Sequence, residues 1–128
     1  MPHVALRDRV YETVSATLVD YSDVTPARVA SALEMSVRTL QRHLHGERSS
    51  LREIRDRVCR ERASLRLLDW EVSISGVASE LGFCDVAAFS KAFKRWTGKS
   101  PSAYRRLQQR GHRIAMERPP AVLFERRQ

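Results

Sequence analysis

Four neighbouring side chains in the first half of the sequence could read base edges in duplex DNA. Arg38, Thr39, Gln41 and Arg42 lie within the segment VRTLQRHL, whose leucines recur at helical spacing. A guanidinium can bind guanine O6 and N7 together, and a glutamine amide can bind adenine N6 and N7 in the same two-point manner. If this segment forms a helix in a major groove, the four side chains are predicted to contact bases.

A second stretch, GFCDVAAFSKAFKRWTGKSPSAYRR at positions 82–106, combines an apolar stripe with outward cations. Phe89, Phe93 and Trp96 recur at helical spacing, and we expect them in the core. The opposite side of that helix is polar and mostly cationic: Ser90, Lys91, Lys94 and Arg95. The aromatic stripe therefore anchors a helix whose other face is available to an anionic partner.

The start of this second helix is apolar. Val86 and Ala87 offer no side-chain hydrogen bond, although they can contact a thymine methyl group. Ser90 and Lys91 are the polar groups placed to reach bases. We expect base contacts from these four residues, with less hydrogen-bond discrimination than in the first segment.

The two segments belong to a repeat of helix, tight turn and helix. Ala30 precedes Ala78 by 48 residues, and after the turn Leu40 precedes Phe89 by 49. In a helix-turn-helix unit the second helix enters the major groove. The sequence predicts an all-α fold of about seven helices. The first helix-turn-helix subdomain is expected at residues 1–48, a linker helix at 49–72 and the second helix-turn-helix subdomain at 73–109. Residues 110–128 are expected to form a basic, poorly ordered tail.

The linker is predicted to be one helix of about 20 residues, or about 30 Å. Its apolar seam interrupted by Glu61 comprises Leu51, Ile54, Val58, Leu65, Leu68 and Val72. One turn of DNA advances about 34 Å, so a stiff linker would place two recognition helices in successive grooves. We also expect a first helix at about residues 4–20, a last short helix through Leu107, and Gly46 at the end of the first recognition helix.

Composition narrows the function. The chain has 23 Lys plus Arg against 15 Asp plus Glu, a net charge of +8, and all but three of the cations are arginine. Two cysteines fit a reducing compartment, and the N-terminus lacks the apolar run of a signal peptide, so we expect a cytoplasmic protein. The cysteines and histidines show no metal-ligand spacing, and no phosphate loop or nucleophile elbow occurs. We therefore expect neither an enzyme nor a bound metal or cofactor.

The second stretch resembles the signature of the AraC/XylS family of bacterial transcription regulators. The shared features are the Gly-Phe turn, the Phe-x-x-x-Phe-Lys-Arg helix and the Gly-x-x-Pro-x-x-Tyr-Arg run ending at Arg105. The segment ALEMSVRTLQRHL resembles that family's first helix-turn-helix. The resemblance implies sequence-specific binding of double-stranded DNA and transcription regulation, with activation as the usual mode, and its base-reading positions fall on Arg38, Gln41 and Arg42.

Phosphate contacts are predicted at helix starts and from flanking cations. The candidates are Thr25, Ser36, Ser73, Lys94, Arg95 and Lys99. Two departures from the family pattern bear on the turns. Glu34 stands where glycine is frequent, which predicts a strained positive φ, and Cys84 stands where serine commonly caps, which passes the cap to Asp85.

Two alternatives stay open. The arginine-rich linker also fits a protein-interaction module that contacts RNA polymerase or another partner without specific DNA binding, whereas membrane association is disfavoured because the apolar faces are needed for the core. The chain is either a short single-domain regulator or a fragment of a longer one. The two-unit design predicts binding as a monomer, and dimerisation through a missing domain is the other possibility.

Overall fold

The computed structural model describes residues 5–17 and 23–117; for Thr17 and residues 111–117 only the course of the backbone is described. Within these ranges the chain forms helices and no strand, which confirms the predicted all-α fold. The seven helices are α1 (Leu6–Thr17), α2 (Pro26–Ala32), α3 (Val37–Gly46), α4 (Leu51–Arg66), α5 (Ile74–Glu80), α6 (Val86–Thr97) and α7 (Pro101–Glu117). We call α2–α3 the first unit and α5–α6 the second unit.

The ends of the chain differ in part from the prediction. α1 lies inside the predicted range 4–20: Ala5 precedes the helix, and residues 4 and 18–20 fall outside the described ones. The last helix was predicted wrongly to stop near Leu107, since α7 continues to Glu117 and so includes the start of the predicted tail. Gly111 lies within α7, because one glycine costs a helix only about 1 kcal/mol. Residues 118–128 lie outside the described residues.

The linker helix is shorter than predicted. α4 has 16 residues and ends at Arg66, so it spans about 24 Å. The predicted seam was wrong in its second half, because Leu65 and Leu68 are 69% and 49% exposed. Ala63 and Leu67 are buried there instead.

The reason for this error is that α4 faces two cores. Val58 packs into the first core and Leu67 into the second. Nine residues separate them along the sequence, and at about 100° per residue they project from nearly opposite sides of the helix. A single seam cannot describe a helix that is buried on both sides.

The two cores are each built around one unit. The first contains apolar residues of α1 to α4: Leu6, Val10, Val14, Val24, Val29, Ala30, Leu40, Leu44, Ile54, Val58 and Cys59. The second contains residues from the end of α4 and from α5 and α6: Ala63, Leu67, Val77, Ala78, Leu81, Phe89 and Phe93. Trp96 is half-buried and packs against both cores.

The turns of the two units repeat each other in the main chain. The Met35 N–H donates to the Ala30 carbonyl at 3.0 Å, and the corresponding bond in the second unit is also 3.0 Å. Each turn contains one left-handed residue, Glu34 with φ 58° and Gly82 with φ 84°. The positive φ predicted for Glu34 is confirmed, and the bonding pattern is that of a helix-ending Schellman motif.

The recognition helices end differently. α6 ends at Gly98, which takes the left-handed conformation with φ 84°. The prediction that α3 ends at Gly46 is confirmed, since Gly46 is the last residue of that helix. The left-handed conformation, however, is taken by Arg48 at φ 58°, whose N–H donates to the His45 carbonyl.

Candidate nucleic-acid interface

The α3 helix is fixed to the first core by one side and presents the other side to solvent. Leu40 and Leu44 are fully buried. Arg38, Gln41 and Arg42, the three predicted base-reading residues, are exposed. The structure therefore brings these three groups onto the solvent side of one short, anchored helix.

Thr39 is placed differently from its neighbours. It is half-buried, and its hydroxyl accepts a hydrogen bond from the Ser36 hydroxyl at 2.9 Å. The Ser36 oxygen in turn accepts from the Thr39 N–H at 3.0 Å, which caps α3. The side chain of Thr39 is thus held at the helix start, and its predicted base contact stays a prediction.

The α6 helix has the same arrangement with different chemistry. Asp85 caps it by accepting from the Ala88 N–H at 2.7 Å, as expected from the cysteine at the preceding position. Val86 is 42% exposed, Ala87 and Lys91 are exposed, and Ser90 is half-buried. The exposed start of α6 is therefore mainly apolar.

The three hydroxyls predicted to contact phosphate are all helix caps. Thr25 accepts from the Arg28 N–H at 3.3 Å, and Ser73 accepts from the Gly76 N–H at 2.9 Å. With Ser36, they begin α2, α3 and α5. These hydrogen bonds establish a capping role for all three hydroxyls. Each residue is also partly or fully exposed, and its contact with phosphate stays a prediction.

The three predicted phosphate-binding cations fall into two groups. Lys94 and Lys99 are exposed. Arg95, by contrast, lies 3.9 Å from the Asp56 carboxylate of α4, with side-chain exposures of 50% and 20%. Arg95 therefore faces the linker helix as well as solvent.

Two arginines of the linker form ion pairs with glutamates, whereas several exposed cations of α3 and α6 form none with another described residue. Arg57 pairs with Glu61 at 3.4 Å, and Arg66 pairs with Glu80 at 2.8 Å. The Arg66 hydrogen bond lowers the pKa of Glu80 below its ordinary value. In contrast, the exposed cations that form no ion pair with another described residue include Arg38, Arg42, Lys91 and Lys94.

Arg105, the last residue of the family signature, has a structural role that its sequence pattern did not reveal. Its side chain is buried, and its guanidinium donates to the carbonyls of Leu67, Asp69 and Val72 at 2.7, 3.1 and 2.7 Å. It also lies 5.1 Å from the centre of the Trp70 ring. Arg105 thus holds the turn between α4 and α5, which positions the second unit.

Glu47 is a second residue that sequence reasoning missed. Its carboxylate accepts from the backbone N–H groups of Leu6 and Arg7 at 2.9 and 2.8 Å, which caps α1 from 40 residues away. No local pattern could reveal this contact, because about 40 residues separate the carboxylate from the two N–H groups along the sequence.

A cavity of about 390 Å³ opens beside the first recognition helix. Its lining includes Gln41 and His45 of α3 together with Arg52 and Arg55 of α4. Neither arginine is among the predicted DNA-binding residues. The start of α4 therefore adds cations next to a predicted base-reading side chain.

No group of three or more potential metal ligands occurs among the described residues, and none of their helices is both long and apolar enough to cross a bilayer. Burial raises the pKa of the Cys59 thiol to about 12, so this thiol stays protonated at neutral pH.

Comparison with known proteins agrees with this geometry. Residues 29–107 match the family model described as a helix-turn-helix domain. The chain is 35% identical over 100 residues to the ornithine utilization regulator of Pseudomonas aeruginosa and 33% identical over 98 residues to the transcriptional activator NphR of a Rhodococcus species. These alignments cover 78% and 77% of this chain but only 29% of each relative.

A solved structure extends the comparison to the fold. The DNA-binding transcriptional dual regulator of Escherichia coli K-12 superposes with a TM-score of 0.79 at 25% identity, covering 86% of this chain and 97% of that one. Both chains share the two-unit all-α architecture. The family match, the repeated unit and the signature around α6 together establish that the chain belongs to the AraC/XylS family of transcription regulators and has the fold of its DNA-binding domain.

Proposed function

We propose that this chain recognises a specific sequence of double-stranded DNA by placing α3 and α6 in successive major grooves, and that it regulates transcription by doing so. The observation that carries the proposal is the exposed face of α3. Arg38, Gln41 and Arg42 share it, and neither arginine is neutralised by another described residue. These are the side chains that distinguish guanine and adenine in a major groove.

The two recognition helices would have different tasks. α3 would supply most of the hydrogen-bond discrimination, with Thr39 contributing from the helix start. α6 would supply apolar contact through Val86 and Ala87 and polar contact through Ser90 and Lys91. Phosphates would be held by the caps and cations predicted for that role: Thr25, Ser36, Ser73, Lys94, Arg95 and Lys99.

Activation is the proposed mode, because the family resemblance implies it and because one relative is named a transcriptional activator. We propose that the described segment binds as a monomer in the cytoplasm, that dimerisation of the regulator would require a further domain, and that the chain has no catalytic role, metal or cofactor. Nothing in the proposal requires an effector ligand at this segment.

Contact with another protein, such as RNA polymerase, is a second candidate function. The observation favouring it is a short run of exposed apolar residues at the end of α4, where Leu65, Leu68 and Trp70 are 69%, 49% and 50% exposed. Binding of this kind would be weakly sensitive to salt, whereas phosphate binding weakens with a log–log slope of about −0.9 per contacted phosphate.

The deciding experiment is selection of random DNA duplexes on the purified chain at near-physiological salt, followed by sequencing. We expect two short motifs about 10 base pairs apart, centre to centre. The Arg42→Ala variant should lose enrichment at one position of the stronger motif. Arg9→Ala, which removes the same charge from the exposed side of α1, is the control and should select the parent sequence. Absence of any enriched sequence would contradict the proposal.

A further inference from the structure

We propose that the contact between α6 and α4 sets the spacing of the two DNA half-sites that this protein accepts. We call this contact the α4–α6 joint and define it by Trp96 and Arg95 on α6 and Asp56 on α4. The inference rests on the DNA binding proposed above and extends it, because it assigns a specificity to residues that touch no base.

The linker helix alone cannot fix the position of the second unit. α4 ends at Arg66, and seven residues outside any helix precede α5 at Ile74. Arg105 holds this turn by three hydrogen bonds to its carbonyls, but it grips the start of the second unit rather than the recognition helix. The second core joins the end of α4 to α6, and a further contact at the last turn of α6 restricts the direction of that helix.

Trp96 provides that contact. It lies in the last turn of α6 and packs against both hydrophobic cores. Its ring lies 6.2 Å from that of Phe83 and 6.4 Å from that of Phe93, centre to centre. Aromatic pairs at such distances stabilise a defined orientation in addition to burying apolar area. A rotation of α6 against α4 would have to separate the indole from one of the cores.

The neighbouring ion pair gives the joint a polar edge. Arg95 and Asp56 approach to 3.9 Å, and Arg95 is half-exposed. A pair of this kind is weak in water, so we assign it a smaller share of the restraint than the packing of Trp96. The ion pair restricts the orientation of α6, because it connects the end of that helix to α4.

The geometry of α6 turns a small rotation at the joint into a change of register on DNA. Val86 is ten residues before Trp96, which places it about 15 Å away along the helix axis. A tilt of about 13° at the joint would move the groove-facing end by about 3.4 Å, the rise of one base pair. Selectivity for one spacing therefore requires the joint to hold its angle to well within about 13°.

The first test uses the selected duplex with one base pair added or removed between the half-sites. Each such change shifts the second half-site by about 3.4 Å and rotates it by about 35°. The parent protein should lose about tenfold or more in affinity, the equivalent of one good base contact. Trp96→Ala should lose less than about threefold across the same duplexes, with weaker binding at the optimal spacing.

Asp56→Asn provides a milder variant that leaves the core intact. It is preferred to a change at Arg95, because Arg95 is also a predicted phosphate contact. The matched control is Glu53→Gln, an exposed acid on the same helix with the same change of charge. Asp56→Asn should broaden the accepted spacings and Glu53→Gln should not, although both gain general affinity for DNA.

A second test needs no DNA. Cys84 is exposed and Cys59 is buried, so a spin label on Cys84 and another on an Arg38→Cys variant would report the distance between the two recognition helices. The parent should give one narrow distance distribution. Trp96→Ala should broaden this distribution most, Trp96→Phe less, and Asp56→Asn least. Circular dichroism would verify that each variant is folded.

These measurements separate the inference from the function on which it rests. A narrow distribution in every folded joint variant, or an unchanged preference for one spacing, would overturn the inference. If the parent selects no DNA sequence, the proposed function fails. The distances would then still decide whether the joint fixes α6 relative to α3.

Discussion

The first and second units have the same backbone turn but present different surfaces to solvent. Both turns close with the same hydrogen bond at 3.0 Å and the same left-handed residue position. Yet α3 exposes Arg38, Gln41 and Arg42, whereas α6 begins with Val86 and Ala87. The buried sides of α3 and α6 are alike in character, since large apolar side chains, leucine in α3 and phenylalanine in α6, occupy the matching positions. Packing therefore constrains one side of each helix and leaves the other free to differ.

The units also differ in how the rest of the molecule holds them. The first unit lies against α1, which is tied to α4 by the Tyr11 hydroxyl donating to Glu61 and by Arg57 above the tyrosine ring. The second unit is held by the Arg105 bonds and by the α4–α6 joint. The first unit therefore packs against a whole helix, α1, whereas the position of the second unit depends on a few specific side chains.

The largest expected effect is at Arg105. Arg105→Ala would leave three carbonyl groups of the turn without their charged donor, and we expect a loss of about 3–5 kcal/mol in the free energy of unfolding. Urea denaturation would measure it. Arg106→Ala, an adjacent and exposed arginine, should change stability by less than about 0.5 kcal/mol. Equal effects of the two substitutions would show that the turn does not depend on Arg105.

The second prediction compares a proposed base contact with a proposed phosphate contact. Arg42→Ala should cost about 1–3 kcal/mol of binding free energy on the selected site and relax the preference at one base pair. Lys94→Ala should weaken binding to all duplexes alike and reduce the salt slope by about one. Titration of parent and single-base variant duplexes would distinguish them. The reverse pattern would contradict the assignment of base and phosphate contacts.

The third prediction compares the left-handed residues of the two turns, glycine in the second unit and glutamate in the first. Gly82→Ala places a Cβ at φ 84° and should destabilise the protein by about 1–2 kcal/mol. Glu34→Gly removes that strain in the first turn and should stabilise it by up to about 1 kcal/mol. Glu34→Ala, which keeps the strain but removes the charge, should leave the melting temperature close to that of the parent. A melting temperature that falls for Glu34→Gly would mean that Glu34 contributes contacts beyond its backbone conformation.

The smallest effect concerns Glu80, whose pair with Arg66 connects α5 to the linker. Because the pKa of Glu80 is lowered from its ordinary 4.5 on folding, the pair contributes stability above that pH and loses it as the pH falls through the lowered value. Glu80→Gln should therefore lower the melting temperature slightly at pH 7 and not in strong acid. Glu12→Gln, an exposed acid on α1, should show no such difference between the two conditions.

Most of the helical framework follows from the sequence alone. The helix starts at Thr25, Ser36, Ser73 and Asp85, the end of α3 at Gly46, and the positive φ at Glu34 were all predicted correctly. Each depends on interactions within a few residues, such as a side-chain oxygen reaching an N–H three positions later. The exposed face of α3 follows in the same way, because the leucines opposite it mark the buried side.

The tertiary structure decided what connects these pieces. That α4 ends at Arg66 and is buried on two opposite sides, that Glu47 caps α1, and that Arg105 binds the turn before α5 could not be inferred from periodicity. Periodicity reports one apolar face for each helix, whereas these features arise from contacts between residues 33 to 41 positions apart or from two cores meeting on one helix. The sequence therefore determined the two helix-turn-helix units, and only the packing around α4 determined how they are held relative to each other.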